Sequence, residues 1–488
     1  MQSVLKERSK NMSYQTVNPF TAEVIKTFDN HDDAYVENAL AKGHALYKKW
    51  RNDPVESRAA ALNKVADVMA EKADELAKIL TLEMGKRFSE AQGEVAISVA
   101  IARYYAKNAA EFLKPKEIAS AIGPAQTISR PTGVLLMVEP WNFPYYQIMR
   151  VFAPNYMAGN PMVLKHASNT PMAADAFEKL VQEANLPEGA FTNLFIDYDQ
   201  VSQIIADERV QGVALTGSER AGQLVASEAG KNMKQSSLEL GGSDPFIVLD
   251  DADLSEIKKI ISGARLYNAG QVCTSSKRFI VTEKNYDAIV DMLKTAFSEA
   301  KLGDPMLPET TLAPLSTVKA KTNLTKQVKA AVEAGATLAF GDVEQNQPAA
   351  LFEPVILTDI TKENPAFYQE FFGPVGQVYK VRDEAEAIAL ANDSHYGLSG
   401  VVFGGSAEHA AEVASQIETG VVFVNSFGGT LPELPFGGVK NSGYGRELGD
   451  LGIDTFVNKE TIVTKHEPID LDDAFGGFVE SLSKGSVM

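Results

Sequence analysis

Residues 133–165, GVLLMVEPWNFPYYQIMRVFAPNYMAGNPMVLK, determine the fold of this chain. The stretch begins with an uninterrupted apolar run at 133–138, which is typical of a strand buried on both faces. A loop with two prolines follows, then a helical pattern over 146–158, a turn at Gly159 and Asn160, and a second apolar run that ends at Lys165. A strand, a helix and a strand in this order predict a βαβ unit with parallel strands.

The same alternation continues outward from this unit. We predict a helix over 171–184, a strand over 191–195, a helix over 201–207, a strand over 213–215 and a helix that ends at 229. Earlier residues are helical in pattern, at 32–50, 55–84 and 89–113. Later residues alternate again from 244 onward, and a strand is expected at 461–465 before an acidic tail with a short helix. The pattern therefore predicts two α/β domains.

Composition and charge exclude several classes of function. The formal net charge of −18 opposes nonspecific nucleic-acid binding, which needs clustered Lys and Arg. No apolar run approaches the ~20 residues that span a bilayer, and residues 1–11 lack the apolar core of a signal peptide. Met12 is an equally good start, so the sequence leaves open whether residues 1–11 belong to the natural protein. We therefore expect no nucleic-acid or membrane partner and a cytoplasmic location.

Cys273 is the only cysteine of the 488 residues, so it cannot form an intramolecular disulfide. It lies in NAGQVCT (268–274), where the small residues around it leave the sulfur open. Glu239 precedes it in LELGG (238–242), a carboxylate on a glycine turn. A thiol nucleophile and a glutamate base are what a covalent route through a thioester requires, although a lone cysteine is more often a small buried hydrophobe.

Three further sites carry chemical signals that are weak when taken singly. The segment TGSERAG (216–222) follows a strand and opens a helix, whose N-terminus suits a pyrophosphate. Lys165 ends a strand, where ligands of open α/β sheets bind, and Asn142 lies in a rigid loop that could aim an amide at an oxyanion. The ordinary alternatives are a helix cap, a surface lysine and a turn residue.

Together, six motifs identify the chain as resembling the aldehyde dehydrogenase superfamily, and most closely its bacterial succinate-semialdehyde dehydrogenase branch. In the order of the family they are PWNFP (140–144), TGS (216–218), LELGG (238–242), GQVC (270–273), EFFGPV (370–375) and LPFGGVK (434–440). They cover the chain from about residue 18 to about residue 465. The resemblance implies an enzyme that oxidises an aldehyde to a carboxylic acid.

The resemblance also implies a role for individual residues. Cys273 would be the nucleophile, Glu239 the base that activates the deacylating water, and Asn142, with the Cys273 N–H, the oxyanion hole. The residues implied for cofactor binding are Trp141, Lys165, Ser168, Thr216, Gly217, Ser218, Glu370 and Phe372. No metal site is implied.

The fold implied by the resemblance is α/β, with a Rossmann-like parallel-sheet cofactor domain, an α/β catalytic domain and a small β element for oligomerisation. We expect the dinucleotide-binding domain at 14–116 and 131–240, and the catalytic domain with Cys273 at 241–440. The oligomerisation element and tail would be residues 117–130 and 441–488, with a hairpin at 117–130 and a strand at 461–465. The implied assembly is a homodimer or homotetramer.

Cofactor choice is indicated by Ser168, three residues after Lys165. Family members that use NAD usually carry an acidic residue at this position, which accepts hydrogen bonds from the ribose 2′-hydroxyl. A serine leaves room for a 2′-phosphate, whereas a carboxylate would repel it. The sequence therefore favours NADP, with NAD also possible.

Substrate choice depends on Arg150, which matches the arginine that grips the substrate carboxylate in the succinate-semialdehyde branch. Tyr146 and Thr430 match other positions of the substrate pocket. Val272, where a small polar residue is common, and Phe427 depart from the pattern. The small-molecule substrate is expected to be succinate semialdehyde, and the alternative is a neutral aliphatic or aromatic aldehyde.

Two further alternatives are disfavoured by the same residues. An enzyme that transfers the acyl group to coenzyme A would not need Glu239 as a water-activating base. A non-catalytic binding or structural relative would not need Cys273, Glu239 and Asn142 together.

Overall fold

The structure, a computed structural model, describes residues 14–120 and 123–464. The helices are α1 Asp33–Trp50, α2 Glu56–Glu71, α3 Ala73–Met84, α4 Phe88–Phe112, α5 Pro144–Ala158, α6 Pro171–Glu183, α7 Tyr198–Ala206, α8 Glu219–Lys231, α9 Leu254–Leu266, α10 Glu283–Ser298, α11 Val318–Glu333, α12 Glu384–Asn392, α13 Ala407–Ala414 and α14 Gly449–Asp454. None of these helices is long and apolar enough to cross a membrane.

The strands form two large sheets and three small ones. They are β1 Tyr14–Val17, β2 Val24–Phe28, β3 Lys116–Ile118, β4 Ala125–Pro131, β5 Val134–Glu139, β6 Met162–His166, β7 Phe191–Asn193, β8 Val210–Thr216, β9 Gln235–Glu239, β10 Asp244–Val248, β11 Ser276–Thr282, β12 Thr337–Phe340, β13 Val355–Thr358, β14 Val375–Val381, β15 Tyr396–Gly397, β16 Ser399–Phe403, β17 Val421–Val424, β18 Val439–Lys440, β19 Gly443–Tyr444 and β20 Val457–Val463. The α/β architecture agrees with the sequence-based prediction.

The first large sheet has six strands in the order β19-β9-β8-β5-β6-β7, parallel except for β19. From β5 the chain moves outward through β6 and β7, and then returns to the other side of β5 with β8 and β9. The strand order therefore reverses between β5 and β8, and at such a switch point the carboxyl ends of the strands leave a crevice for ligands.

Side chains of β5 alternate between two cores, as a strand covered on both faces requires. Leu135 and Met137 belong to the core that includes residues of α2 to α6. Val134 and Leu136 face the core shared with residues of α1, α7 and α8. This double burial explains the uninterrupted apolar run that opens the sequence stretch.

The second large sheet has seven strands in the order β12-β13-β14-β11-β10-β16-β17, with only the edge strand β12 antiparallel among the described strands. The segment between α9 and β11 carries Cys273. Its position is therefore set by a helix on one side and a buried central strand on the other.

A separate antiparallel sheet joins β3, β4 and β20. It contains the hairpin expected at 117–130. The strand expected at 461–465 begins earlier, at Val457, and runs to Val463, because Asn458 and Lys459 pair with β4 although they interrupt the apolar pattern. Lys465 and the predicted helix of the tail lie outside the described residues.

One sequence-based prediction was wrong in detail, and one hairpin was missed. The single helix expected over 55–84 is two helices, α2 and α3, which part at Lys72 (φ −102°, ψ 18°). Apolar spacing could not reveal this break because Met69 before it and Leu76 after it belong to the same core. The hairpin of β1 and β2 was not predicted, since β2 is largely exposed and lacks an apolar face.

Candidate active site

Three polar side chains lie at the carboxyl ends of adjacent strands of the first sheet: Glu139 on β5, Thr216 on β8 and Glu239 on β9. Thr216 is paired in register with Glu239, and the N–H of Gly217 donates to the Glu239 carbonyl at 2.9 Å. Because parallel strands end at one edge, these groups meet at the switch point. Glu239 and the TGS segment are thereby brought together as the sequence predicted.

The turn that leads to Cys273 has an unusual backbone. Asn268, Ala269 and Gly270 are all left-handed, with φ values of 52°, 53° and 72°. A Cβ on Gly270 would lie 2.5 Å from the Gly373 carbonyl, so only glycine fits there. Non-glycine residues in this region are strained and persist only where their surroundings hold them.

Asn268 and Asn142 hold this turn. The Asn268 amide Nδ2 donates to the carbonyls of Asn142 at 3.0 Å and Gln271 at 3.2 Å. The Asn142 amide Nδ2 donates to the same Gln271 carbonyl at 3.2 Å. The Asn142 amide, the candidate for the oxyanion hole, therefore contacts the backbone two positions before Cys273, the candidate nucleophile.

Cys273 lines a cavity of about 350 Å³ that is also bordered by residues of α4, α5 and α9. This volume suits a small-molecule ligand. The cavity is lined in part by three residues that the sequence assigned to substrate, Tyr146, Arg150 and Thr430. Burial raises the pKa of the Cys273 thiol to about 12, and the positive charges of Lys277 and Arg150 oppose that rise.

Arg150 lies at the cavity wall, but its guanidinium already has protein partners. Nε pairs with the Glu447 carboxylate, Nη1 donates to the Tyr146 hydroxyl at 3.3 Å, and Nη2 donates to Thr216 Oγ1 at 3.1 Å. The guanidinium also stacks on the Phe436 ring, 4.6 Å from its centroid. Since arginine has five N–H donors, these three contacts use three of them and do not involve the other two.

Three buried carboxylates surround this one arginine: Glu139, Glu239 and Glu447. Burial is the main cause that raises the pKa of each, and the charge of Glu447 raises the pKa values of the other two further. Burial outweighs the positive charges of Arg150 and, at Glu239, of Arg446, so these carboxyl groups hold their protons to a higher pH than exposed glutamates do. Glu239 has no hydrogen-bond partner for either oxygen within residues 14–120 and 123–464.

Near Cys273, three of the predicted cofactor residues form one group. Glu370 Oε1 accepts the Gly242 N–H at 3.1 Å and pairs with Lys277 Nζ at 3.2 Å. Trp141 and Phe372 meet edge to face, with ring centroids 5.6 Å apart. These half-buried groups lie on the loop after β5 and the segment before β14.

The other predicted cofactor residues lie at the ends of β6 and β8. Lys165 is buried without a carboxylate partner among the described residues, its ammonium 5.4 Å from the Tyr198 ring centroid, and burial lowers its pKa to about 8. Ser168 is half-buried, and its carbonyl accepts from the Gln15 N–H at 3.0 Å. Ser218 caps α8, and its hydroxyl accepts the Ala221 N–H at 3.3 Å.

Sequence reasoning missed several residues that organise the site. Glu139, Glu447 and Lys277 have been described above. On α4, Glu94 Oε1 accepts the N–H groups of Tyr145 at 2.8 Å and Tyr146 at 3.3 Å, and Glu90 Oε1 accepts the Asn268 N–H at 3.2 Å. A sequence signal for this pair did exist. Glu90 and Glu94 are four residues apart, so they share one face of α4 with the apolar residues that predict its burial.

Comparison with known proteins places these features in a family. The model of the aldehyde dehydrogenase family matches residues 5–462. A curated relative from Deinococcus radiodurans, named succinate-semialdehyde dehydrogenase [NADP(+)], is 45% identical over 458 residues, which cover 93% of this chain and 96% of the relative.

Solved structures agree with that family. The crystal structure of succinic semialdehyde dehydrogenase from Streptococcus pyogenes, in complex with NADP+, is 55% identical with a TM-score of 0.91 and covers 93% of this chain and all of that chain. Betaine aldehyde dehydrogenase from Staphylococcus aureus, in complex with NAD+, is 28% identical with a TM-score of 0.89, over 95% of this chain and 94% of that chain. The fold alone therefore does not decide the aldehyde or the cofactor.

The Arg150 cluster generates a prediction about stability and pH. Arg150→Met removes the cation that faces three buried carboxylates, and breaking a buried ion pair costs about 3–5 kcal/mol. The folded carboxyl pKa values are already raised and would rise further, so the folded variant holds protons that the unfolded chain releases above about pH 4. Its stability therefore falls as pH rises, and we expect a larger loss of melting temperature at about pH 8 than at about pH 5.5.

Arg58→Met is the matched control. Arg58 is also buried, but it donates to the Met157 carbonyl, from Nε at 3.1 Å and Nη2 at 2.9 Å. Its loss should lower the melting temperature by similar amounts at the two pH values. An equal deficit at both pH values for Arg150→Met would contradict the description of the carboxylate cluster.

Proposed function

This chain belongs to the aldehyde dehydrogenase family, and we propose that it oxidises succinate semialdehyde to succinate with NADP. The observation that carries the proposal is the meeting of Cys273 and Arg150 in one cavity. A thiol that attacks an aldehyde carbon and a guanidinium that binds a carboxylate are what this substrate requires at its two ends. The relatives named above for succinate semialdehyde and NADP support it.

The residues present fit a nicotinamide dinucleotide with a 2′-phosphate. Buried Lys165 has no carboxylate partner among the described residues, so a cation is available at the end of β6. Ser168 beside it adds a hydroxyl and no negative charge. The N-terminus of α8 opens at the switch point and suits a pyrophosphate, while Glu370 and Phe372 would hold the nicotinamide end. When bound, the cofactor supplies the hydride acceptor.

Each catalytic group then has a defined part. The Cys273 thiolate adds to the aldehyde carbon, and the Asn142 amide with the Cys273 N–H stabilises the oxyanion that forms. Loss of hydride from that carbon leaves a thioester on Cys273. Glu239, whose oxygens have no hydrogen-bond partner among the described residues, accepts a proton from the water that attacks the thioester and releases succinate.

A second candidate is favoured by one specific observation. Arg150 pairs with Glu447, so part of its charge is already balanced. Phe143, Phe427 and Phe436 line the same cavity and would suit a neutral aliphatic or aromatic aldehyde. The substrate is succinate semialdehyde if the other two N–H donors of Arg150 bind its carboxylate. It is a neutral aldehyde if these donors do not contact the substrate.

The remaining parts of the proposal concern organisation. We propose the cofactor domain at 14–116 and 131–240, the catalytic domain at 241–440, and assembly as a homodimer or homotetramer through the β3, β4 and β20 sheet, with residues 117–130 and 441–488 as the oligomerisation element and tail. The exposed residues of β20 support this use of the sheet, since unpaired strand edges favour association. The single thiol supports a location in the reducing cytoplasm.

Arg150→Ala tests the substrate. We expect it to raise KM for succinate semialdehyde at least about tenfold more than KM for butanal, because a charge-assisted hydrogen bond of ~1.5–3 kcal/mol is lost for the charged substrate alone. Comparing two substrates in one variant cancels any loss of folded enzyme. Phe427→Leu, which changes the lining of the same cavity but removes no charge and no hydrogen-bonding group, should affect both substrates alike. Equal increases in KM for Arg150→Ala would favour the neutral aldehyde.

Glu239→Gln tests the base. The variant should release one equivalent of reduced cofactor in a rapid burst and then turn over very slowly, because hydride transfer precedes deacylation. Cys273→Ala is the control and should show neither burst nor turnover. In the unmodified enzyme, the raised pKa of Glu239 means that the base is ionised only at higher pH, so deacylation slows as pH falls through that pKa. Loss of the burst in Glu239→Gln, with cofactor still bound, would assign this residue an earlier step.

Ser168→Glu tests the cofactor. A carboxylate here would repel the 2′-phosphate of NADP and accept from the 2′-hydroxyl of NAD. The ratio of kcat/KM for NADP to kcat/KM for NAD should fall roughly fivefold to 150-fold, which corresponds to about 1–3 kcal/mol. Ser168→Ala introduces no charge and should keep most of the preference. A ratio unchanged by Ser168→Glu would remove this residue from the cofactor site.

A further inference from the structure

Lys277, the second residue of β11, is fully buried behind the candidate nucleophile. Its ammonium donates to the carbonyls of Val272 at 2.8 Å and Cys273 at 2.7 Å, and pairs with Glu370 Oε1 at 3.2 Å. The Ser275 carbonyl lies further away, at 3.5 Å. An ammonium has three N–H donors, so the three close acceptors complete its hydrogen bonding.

These contacts connect the turn that carries Cys273 to the carboxylate of Glu370, one of the predicted cofactor residues. Glu370, the acceptor of the ion pair, is also held by the Gly242 N–H at 3.1 Å. Gly242 lies directly against the nucleophile, because a Cβ there would come within 2.6 Å of the Cys273 carbonyl oxygen. Lys277 therefore links the backbone of Cys273 to Glu370, and Glu370 in turn contacts Gly242, which lies against that backbone carbonyl.

We propose that Lys277 is a positioning residue for the nucleophile, which holds the Cys273 turn against Glu370 and places a fixed positive charge beside the thiolate. The proposal rests on the assignment of Cys273 as the nucleophile in the proposed function. Burial of a lysine is costly unless its charge is paired and its donors are satisfied. The carbonyls and the carboxylate meet both conditions, so the charge can be kept inside the protein next to the sulfur.

The charges around the thiol support this role. Burial raises the pKa of Cys273, and Lys277 opposes that rise more strongly than Arg150 does. The carboxylates of Glu370 and Asp244 raise the pKa further. Without Lys277, its positive charge would no longer oppose the effect of these two carboxylates on the thiol. The pKa of Cys273 would rise, and the thiolate fraction would fall at any given pH.

Other groups near the thiol are unsuited to this part. Tyr146 also interacts with Cys273, but burial raises the pKa of its phenol, so it stays neutral in the working range. The positive charge of Arg150 already faces the carboxylates of Glu139, Glu239 and Glu447. Lys277 alone contacts the backbone of the nucleophile itself among the described cations.

The experiment measures alkylation of the thiol by iodoacetamide in the full-length protein. Because Cys273 is the only cysteine, the rate reports this thiol alone. Below its pKa the rate is proportional to the thiolate fraction, so the ratio of rates at one pH measures the change in pKa. An opposite charge within ~4–6 Å shifts a pKa by about 1–3 units. We therefore expect Lys277→Met to be alkylated at least about tenfold more slowly, and Lys277→Arg to recover part of the loss.

Lys321→Met is the matched control. Lys321 is another buried lysine, and its ammonium donates to the Gln347 carbonyl on a different segment. Its loss should leave the alkylation rate at the wild-type value. Should Lys277→Met fail to fold, as judged by circular dichroism, Lys277→Gln, which keeps a donor without the charge, replaces it.

Two results would overturn the proposal. One is an alkylation rate for folded Lys277→Met equal to that of wild type, and the other is a rate for folded Lys277→Arg as low as that of Lys277→Met. Alkylation uses neither aldehyde nor turnover, so these results concern Lys277 alone. Failure of the proposed function would appear separately, as dehydrogenase activity retained by Cys273→Ala.

Discussion

The guanidinium of Arg265 is the interaction on which the site depends. Arg265 is fully buried at the end of α9, and all of its nitrogens donate to oxygens of the chain. Its acceptors are the carbonyls of Val375 (2.7 Å), Gly270 (3.1 Å), Phe371 (2.6 Å) and Gly373 and the hydroxyl of Ser275 (2.9 Å). It thereby joins the turn before Cys273, the start of β11 and the segment that carries Phe372.

Separating these segments would leave a buried cation without partners, which is among the most costly changes a folded protein can undergo. Burial lowers the pKa of Arg265 to about 9, and the negative charge of Glu370 opposes that fall. Moving the turn before Cys273 away from the segment that carries Phe372 would break the hydrogen bonds of buried Arg265. The cost of leaving that charge unpaired therefore fixes the distance between the two segments. The left-handed turn at 268–270 is held in place by the same contacts, since the Gly270 carbonyl is one of the acceptors.

A second constraint is electrostatic. Arg150 lies among three buried carboxylates, and its charge balances only one of them. Burial and the charge of Glu447 raise the pKa of Glu239, which makes this carboxylate a stronger base than an exposed glutamate and better suited to proton transfer. The same arrangement engages three of the five N–H donors of Arg150 with Glu447, Tyr146 and Thr216. Base strength and substrate binding are consequently coupled through one guanidinium.

Sequence alone determined the alternation of strands and helices from β5 to α8 and from β10 to α11, because apolar runs and helical spacing depend on neighbours in the chain. It predicted no element between residues 360 and 456, where β14, β16 and β17 of the second large sheet lie. It also identified Cys273, Glu239 and Asn142 as the groups with chemistry, since motifs report residue types at fixed spacing. It placed one helix where α2 and α3 are separate, and it overlooked Lys277, Glu139 and Glu447. Only the tertiary structure decided which charges face one another, because Arg150 and Glu447 are distant in sequence and the pKa of a buried group depends on burial and on such partners.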